Sequence, residues 1–150
     1  MFLKLPKLFA HSVSLAVLLP LLAASNGCSR YTRTKQCRAL IAQVNPALDD
    51  VDAVTHAGSA VGSSGYVSAA GRYERLAKQL GPMEFASEDM AKYVAEYAGL
   101  LNSTAENLRT LATALDANNP GEAERINREL DRIDSHERSV MARMDAWCQP

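Results

Sequence analysis

The stretch SEDMAKYVAEYAGLLNSTAENLRTLATALDA, residues 87–117, decides the fold. Met90, Val94, Tyr97, Leu101, Thr104, Leu108, Leu111 and Leu115 recur at alternating spacings of four and three. That period places them on one side of a helix as a sustained heptad-like seam. Ser87 stands where an N-cap belongs, and Glu88 and Asp89 put negative charge in the first turn, where the helix dipole favours it. A seam of this length needs partner helices to cover it.

Partners are readable on both sides. Downstream, Asn119 can cap, Pro120 suits a first helical position, and Glu122 falls three places after the cap. Ala123, Ile126, Leu130, Ile133, Val140, Met144 and Trp147 follow on one face, interrupted by Glu137. The outer face carries Glu124/Arg128, Arg125/Glu129 and Asp134/Arg138 at i,i+4, a solvated face rather than a site. Upstream, Tyr66 to Leu80 forms a short segment stopped by Gly81-Pro82. Earlier still, Cys37, Leu40, Ile41, Val44, Leu48, Val51 and Val54 make a stripe between Thr34 and Ala57. Pro46 removes one backbone donor there and predicts a kink. The expected fold is all-α: an antiparallel four-helix bundle, residues 34–150, with a short second helix.

Composition agrees. The chain has 150 residues, 47% hydrophobic and only 6% aromatic, with abundant alanine, which suits helices better than a β-sandwich. The formal net charge is −1, which argues against a nucleic-acid partner.

The first 27 residues read as an export signal rather than as part of the fold. Lys4 and Lys7 precede an apolar run from Leu8 to Leu22, which is short for a span of about 20 apolar residues. Ala23-Ala24-Ser25-Asn26-Gly27 follows, and then Cys28. This ordering resembles a bacterial lipoprotein signal. Gly27 before the cysteine fits that family; Ser25 stands where the family prefers Leu. The resemblance covers the first fifth of the chain. It implies that Cys28 is lipidated and becomes the mature N-terminus, with residues 28–33 as a linker. Ser29 is compatible in that family with sorting to the outer membrane, so the expected location is the periplasmic side of that membrane. Ordinary cleavage after Ser25 or Gly27, giving a soluble periplasmic or secreted protein, is the alternative. Without the signal, Lys+Arg falls from 16 to 14 against 17 acidic residues, giving −3. Arg30, Arg33, Lys35 and Arg38 lie directly after Cys28, where basic residues can lean on anionic head groups. A solvated linker is the other reading of them.

The three cysteines are Cys28, Cys37 and Cys148. With Cys28 lipidated, Cys37 and Cys148 remain as a pair, and an exported compartment permits their disulfide. Two buried free thiols are the alternative. No zinc or haem spacing occurs. With four alternating helices, Cys148 returns to the end where Cys37 sits. Three helices would separate them by roughly 35 Å, far beyond the ~7 Å a disulfide allows. The bridge and the four-helix reading support each other.

No catalytic constellation is evident, so no enzyme and no cofactor are expected. His56 and His136 fall at different levels of the bundle. Asp49, Asp50 and Asp52 diverge around their helix rather than converge on a metal. Gly58 to Gly65 lacks the ending of a phosphate loop, and no base is placed beside Ser63 or Ser64. Met83, Met90, Met141 and Met144 gather with Phe85 and Trp147 at the disulfide end. They suit an adaptable core, or a site for a small ligand or soft metal. At the opposite end the short second helix leaves a gap under residues 58–65. Val54, Val61 and Leu115 are the expected surface there for an envelope protein partner. The expected function is a lipid-anchored binding or structural module of the cell envelope.

Overall fold

A computed structural model describes the backbone of residues 19–55 and 62–149, and the side chains of residues 30–51 and 62–149. Four helices account for nearly all of it: α1 (Leu19–Thr55), α2 (Ser63–Leu80), α3 (Glu88–Asp116) and α4 (Pro120–Cys148). Among the described residues there is no strand.

The starts of α3 and α4 follow their capping residues. Ser87 Oγ accepts from the Met90 amide at 3.4 Å. Asn119 Oδ1 accepts from the Glu122 amide at 3.2 Å. The turn between the two helices is one continuous device. The Asn119 amide donates to the Ala114 carbonyl at 2.8 Å and the Asn118 amide to Leu115 at 3.0 Å, closing α3 with a Schellman pattern. Asn118 takes the left-handed conformation this needs, φ 51°, a region asparagine tolerates better than most residues. The next residue already caps α4, so the chain reverses at no cost in extra length.

Consecutive helices pack side by side, α1 on α2, α2 on α3 and α3 on α4, while α1 meets α4 at few positions. Ion pairs across the seams fix the alternating direction. Arg72 of α2 reaches Asp50 of α1, its Nη1 donating to the Asp50 carbonyl at 2.8 Å. Arg109 of α3 pairs with Glu74 of α2. Glu96 of α3 pairs with His136 and Arg143 of α4, at 2.7 and 2.9 Å. The fold is the expected antiparallel bundle, and α2, at 18 residues, is its shortest helix.

The main core gathers Leu40 and Val44 from α1, Leu76 and Leu80 from α2, Met90, Val94, Tyr97 and Leu101 from α3, and Val140 and Met144 from α4. A smaller group of Leu111, Ala114, Ala123 and Ile126 joins α3 to α4 at the far end, with Tyr66 packed against it. Between them Ala69 and Ala70 of α2 pack with Ala105 and Leu108 of α3. Small side chains here let the two helices approach closely, which is why so few aromatics suffice.

The helix limits differ from expectation at two places. Residues 28–33, read as a linker, are helical and continuous with α1; nothing from Ser29 to Arg33 is a glycine or proline that would break it. Pro46 lies inside α1 without ending it, as expected of a residue read as a kink rather than a stop. Both Pro46 and Asn45 are exposed, so water can satisfy the carbonyl that loses its donor. Helix α2 begins at Ser63, three residues earlier than the glycines of that stretch suggested, with Gly62 as its N-cap. No helix among the described residues is long and apolar enough to cross a membrane.

Candidate functional site

The end of the bundle where α1 enters is held by two devices. Cys37 and Cys148 stand at disulfide-bonding distance, Sγ to Sγ 2.06 Å and Cα to Cα 5.8 Å. Next to Cys37, the Gln36 amide grips the α2–α3 loop. Its Nε2 donates to the Glu84 carbonyl at 3.2 Å, and its Oε1 accepts from the Ala86 amide at 3.4 Å. One turn of α1 thus ties α4 covalently and the opposite loop by hydrogen bonds. Sequence reading found the cysteines through their odd count; Gln36 carries no comparable signal.

All four expected methionines pack against one core at this end. Met90 and Met144 are buried, Met83 and Met141 half-buried, and Phe85, Trp147 and Cys148 join them. Beside them a shallow groove of about 100 Å³ runs between α1 and α4, lined by Leu40, Ile41, Val44, Met141, Met144 and Cys148. Ile41 is exposed along it.

On either side of Cys37, α1 carries its basic residues. Arg30, Tyr31, Thr34, Lys35 and Arg38 border one surface hollow, so three cations share a side of the helix with an exposed tyrosine. Arg33 is half-buried. The side chain of Cys28 lies outside the described residues, although its position in α1 does not.

The expected partner surface is only partly described. Leu115 is 45% exposed. Val61 and the side chain of Val54 lie outside the described residues, as does His56. The apolar stripes of α3 and α4 near Leu115 are otherwise covered: Leu111 and Ile126 are buried, with Tyr66 of α2 against them.

His136 is bonded to Glu96. Arg143 donates to the other Glu96 oxygen at 2.9 Å and lies 4.9 Å from the centre of the Tyr93 ring. The His136 hydrogen bond, with Arg143 second, holds the Glu96 carboxyl below the ordinary range. On the outer face of α4, Glu124–Arg128 and Asp134–Arg138 form as expected, at 2.6 and 2.7 Å. Arg125 and Glu129 do not pair with each other. Arg125 turns back to Glu122 and Glu129 takes Arg132, each with two hydrogen bonds; two-pronged arginine–carboxylate contacts outcompete single ones.

Glu137, read from the sequence as a break in the α4 stripe, belongs to a polar group inside the α2–α3–α4 packing that spacing did not reveal. Glu137 sits on the apolar stripe of α4 between buried Ile133 and Val140, half-buried itself. Burial pushes its carboxyl up; Asp134 adds to the rise and the neighbouring Tyr97 hydroxyl opposes it. Burial, then the Glu137 charge, raises the phenols of Tyr73 and Tyr97. The signal was present as an acid breaking a clean stripe and a tyrosine in the opposing seam. Nothing in linear spacing says that the two meet. Among the described residues, no three His, Cys, Asp or Glu side chains are grouped to hold a metal.

Compared with protein-family models, curated proteins and solved structures, the chain matches none.

Proposed function

We propose that the chain is an exported, lipid-anchored helical bundle serving as a binding or structural module of the bacterial cell envelope, on the periplasmic side of the outer membrane. The observation that supports this is α1 itself. One unbroken helix carries Cys28, Cys37 and the basic side formed by Arg30, Lys35 and Arg38. An acyl chain on Cys28 and basic residues within three turns of it act on the same membrane. Each cation near an anionic surface contributes roughly 1 kcal/mol.

Membrane fractionation and intact mass test this reading. The wild type should carry a lipid-sized mass increment at a mature N-terminal Cys28 and sediment with membranes. Cys28→Ala should move the protein to the soluble periplasm. A mature wild-type chain without lipid would remove the anchor from the proposal.

A second reading, a bundle that takes a small ligand or soft metal at its Met-rich end, is favoured by the packing of Met83, Met90, Met141 and Met144 around one core. Metal analysis and an absorption spectrum of the purified protein separate it from the first.

A further inference from the structure

Midway along the bundle, a cavity of about 200 Å³ opens among Tyr73, Thr104, Leu108, Leu130, Asp134 and Glu137. Its chemistry is unusual for a helix seam. An acid replaces the aliphatic residue that the α4 stripe calls for. Thr104 is buried in the α3 stripe. Behind them the Tyr97 hydroxyl is buried, and its polar neighbour is the Glu137 carboxyl. The groups whose charges act on that hydroxyl are Glu137 and Tyr73, both in the cavity wall. The Glu137 carboxyl in the wall is half-buried with no cation beside it among the described residues, and burying an unpaired charge is costly. Its persistence beside an open cavity points to an occupant.

Charge selects the class of occupant. Asp134 is already paired with Arg138 at 2.7 Å. Glu137 has no ion pair among the described residues, so the wall carries one uncompensated negative charge. Anions are repelled. A divalent metal has too few donors, because the phenols stay protonated and three metal-binding side chains do not converge. An ammonium group fits: it brings three N–H donors to a carboxylate, a threonine hydroxyl and a phenol oxygen. Leu108 and Leu130 offer apolar surface to the carbon chain behind it. At about 30 Å³ per water in the liquid, the space holds the equivalent of six or seven waters, which limits the ligand to a handful of heavy atoms.

We propose that this cavity binds a small aliphatic primary amine, with its ammonium group on the Glu137 carboxylate and its chain against Leu108 and Leu130. The site requires neither Cys28 nor a membrane.

The test is titration of the disulfide-bonded protein with n-butylammonium, followed by NMR of the Glu137 carboxyl and the Tyr73 and Tyr97 rings. Saturable shifts at these three residues are expected, together with a fall in the Glu137 titration midpoint. Asp134, Tyr73, Tyr97 and Arg138 are the other titratable groups around it and are followed in the same spectra. Glu137→Gln should weaken binding at least tenfold, whereas Asp131→Asn, on the exposed face, should leave it unchanged. Leu130→Phe, which fills the cavity and leaves every charge in place, should also abolish binding and serves if Glu137→Gln does not fold. Butan-1-ol and butyrate should not compete. Absence of saturable shifts, equal binding by Glu137→Gln or Leu130→Phe, or competition by butan-1-ol would each overturn the assignment and leave the cavity to water.

Discussion

Cys37 and Cys148 are 111 positions apart in the chain and 5.8 Å apart in space. Their bond closes almost the whole bundle into one loop. In the chain-entropy model a loop of this length gives roughly 4–5 kcal/mol, as an upper value. The Cys37→Ala/Cys148→Ala protein should lose a large part of its stability in urea melts. Thiol labelling of the unfolded, non-reduced wild type should find neither cysteine free. Stoichiometric labelling of both would show that the pair is two thiols.

Glu96 provides a pH prediction with a definite sign. Its carboxyl is depressed in the fold, by His136 first and Arg143 second. A depressed acid contributes stability that is present above its unfolded value, about 4.3, and lost as pH falls through the folded value. Glu96→Gln should therefore flatten the acid side of the stability curve. Melts below about pH 5 should show a shallower fall than the wild type. Part of the slope should survive, because Glu74, Glu122 and Glu129 are lowered by their own arginines.

Glu137 has the opposite sign. Its carboxyl is raised by burial, so between the unfolded and folded values the folded state holds a proton that the unfolded state releases. Stability from this group is present at low pH and declines as pH rises through the raised value. Glu137→Gln should be more stable than wild type at neutral pH, with the difference vanishing in acid. Tyr97→Phe should cost up to about 1 kcal/mol at neutral pH, since it deletes the hydroxyl that supports the Glu137 carboxylate. No loss would mean that the hydroxyl does not support the carboxylate in the fold. Thermal melts at two pH values measure both variants.

The α3–α4 turn can be weighed one residue at a time. Asn119→Ala removes the cap on the Glu122 amide and should cost about 1 kcal/mol. Asn118→Val forces a β-branched residue into positive φ and should cost at least as much. Leu101→Ala, at a fully buried seam position, should cost about 2–5 kcal/mol. Urea melts that rank Leu101→Ala below either turn variant would contradict the packing.

Residues 87–148 were readable from sequence because each signal there is local. Ser87 and Asn119 cap where their side chains dictate, and the spacing of four and three survives unbroken from Met90 to Leu111. The last seam position, Leu115, is nearly half exposed, because the apolar period continues past the point where α2 and α4 supply cover. The limits of α1 and α2 were less readable. A prolonged helix through residues 28–33 depends on which side of α1 faces solvent, and composition does not encode that. The pairing of Arg125 with Glu122 is likewise a choice between rotamers. The cavity at Glu137 needs three helices brought together before it exists at all.

The ring of helices is closed by a covalent bond where packing is weakest, since α1 touches α4 at few positions. That has a mechanical meaning. Tension applied to the chain ahead of Cys37 passes directly into the end of α4 and bypasses the contact of α1 with α2. The body enclosed between the two cysteines stays unloaded, as the frame of a lantern does when it hangs from its ring. Reduction of the bond would transfer the pull to the α1–α2 face, which can be peeled apart turn by turn. The bundle resists being drawn from its N-terminal side in proportion to the strength of a sulfur–sulfur bond rather than that of a hydrophobic seam.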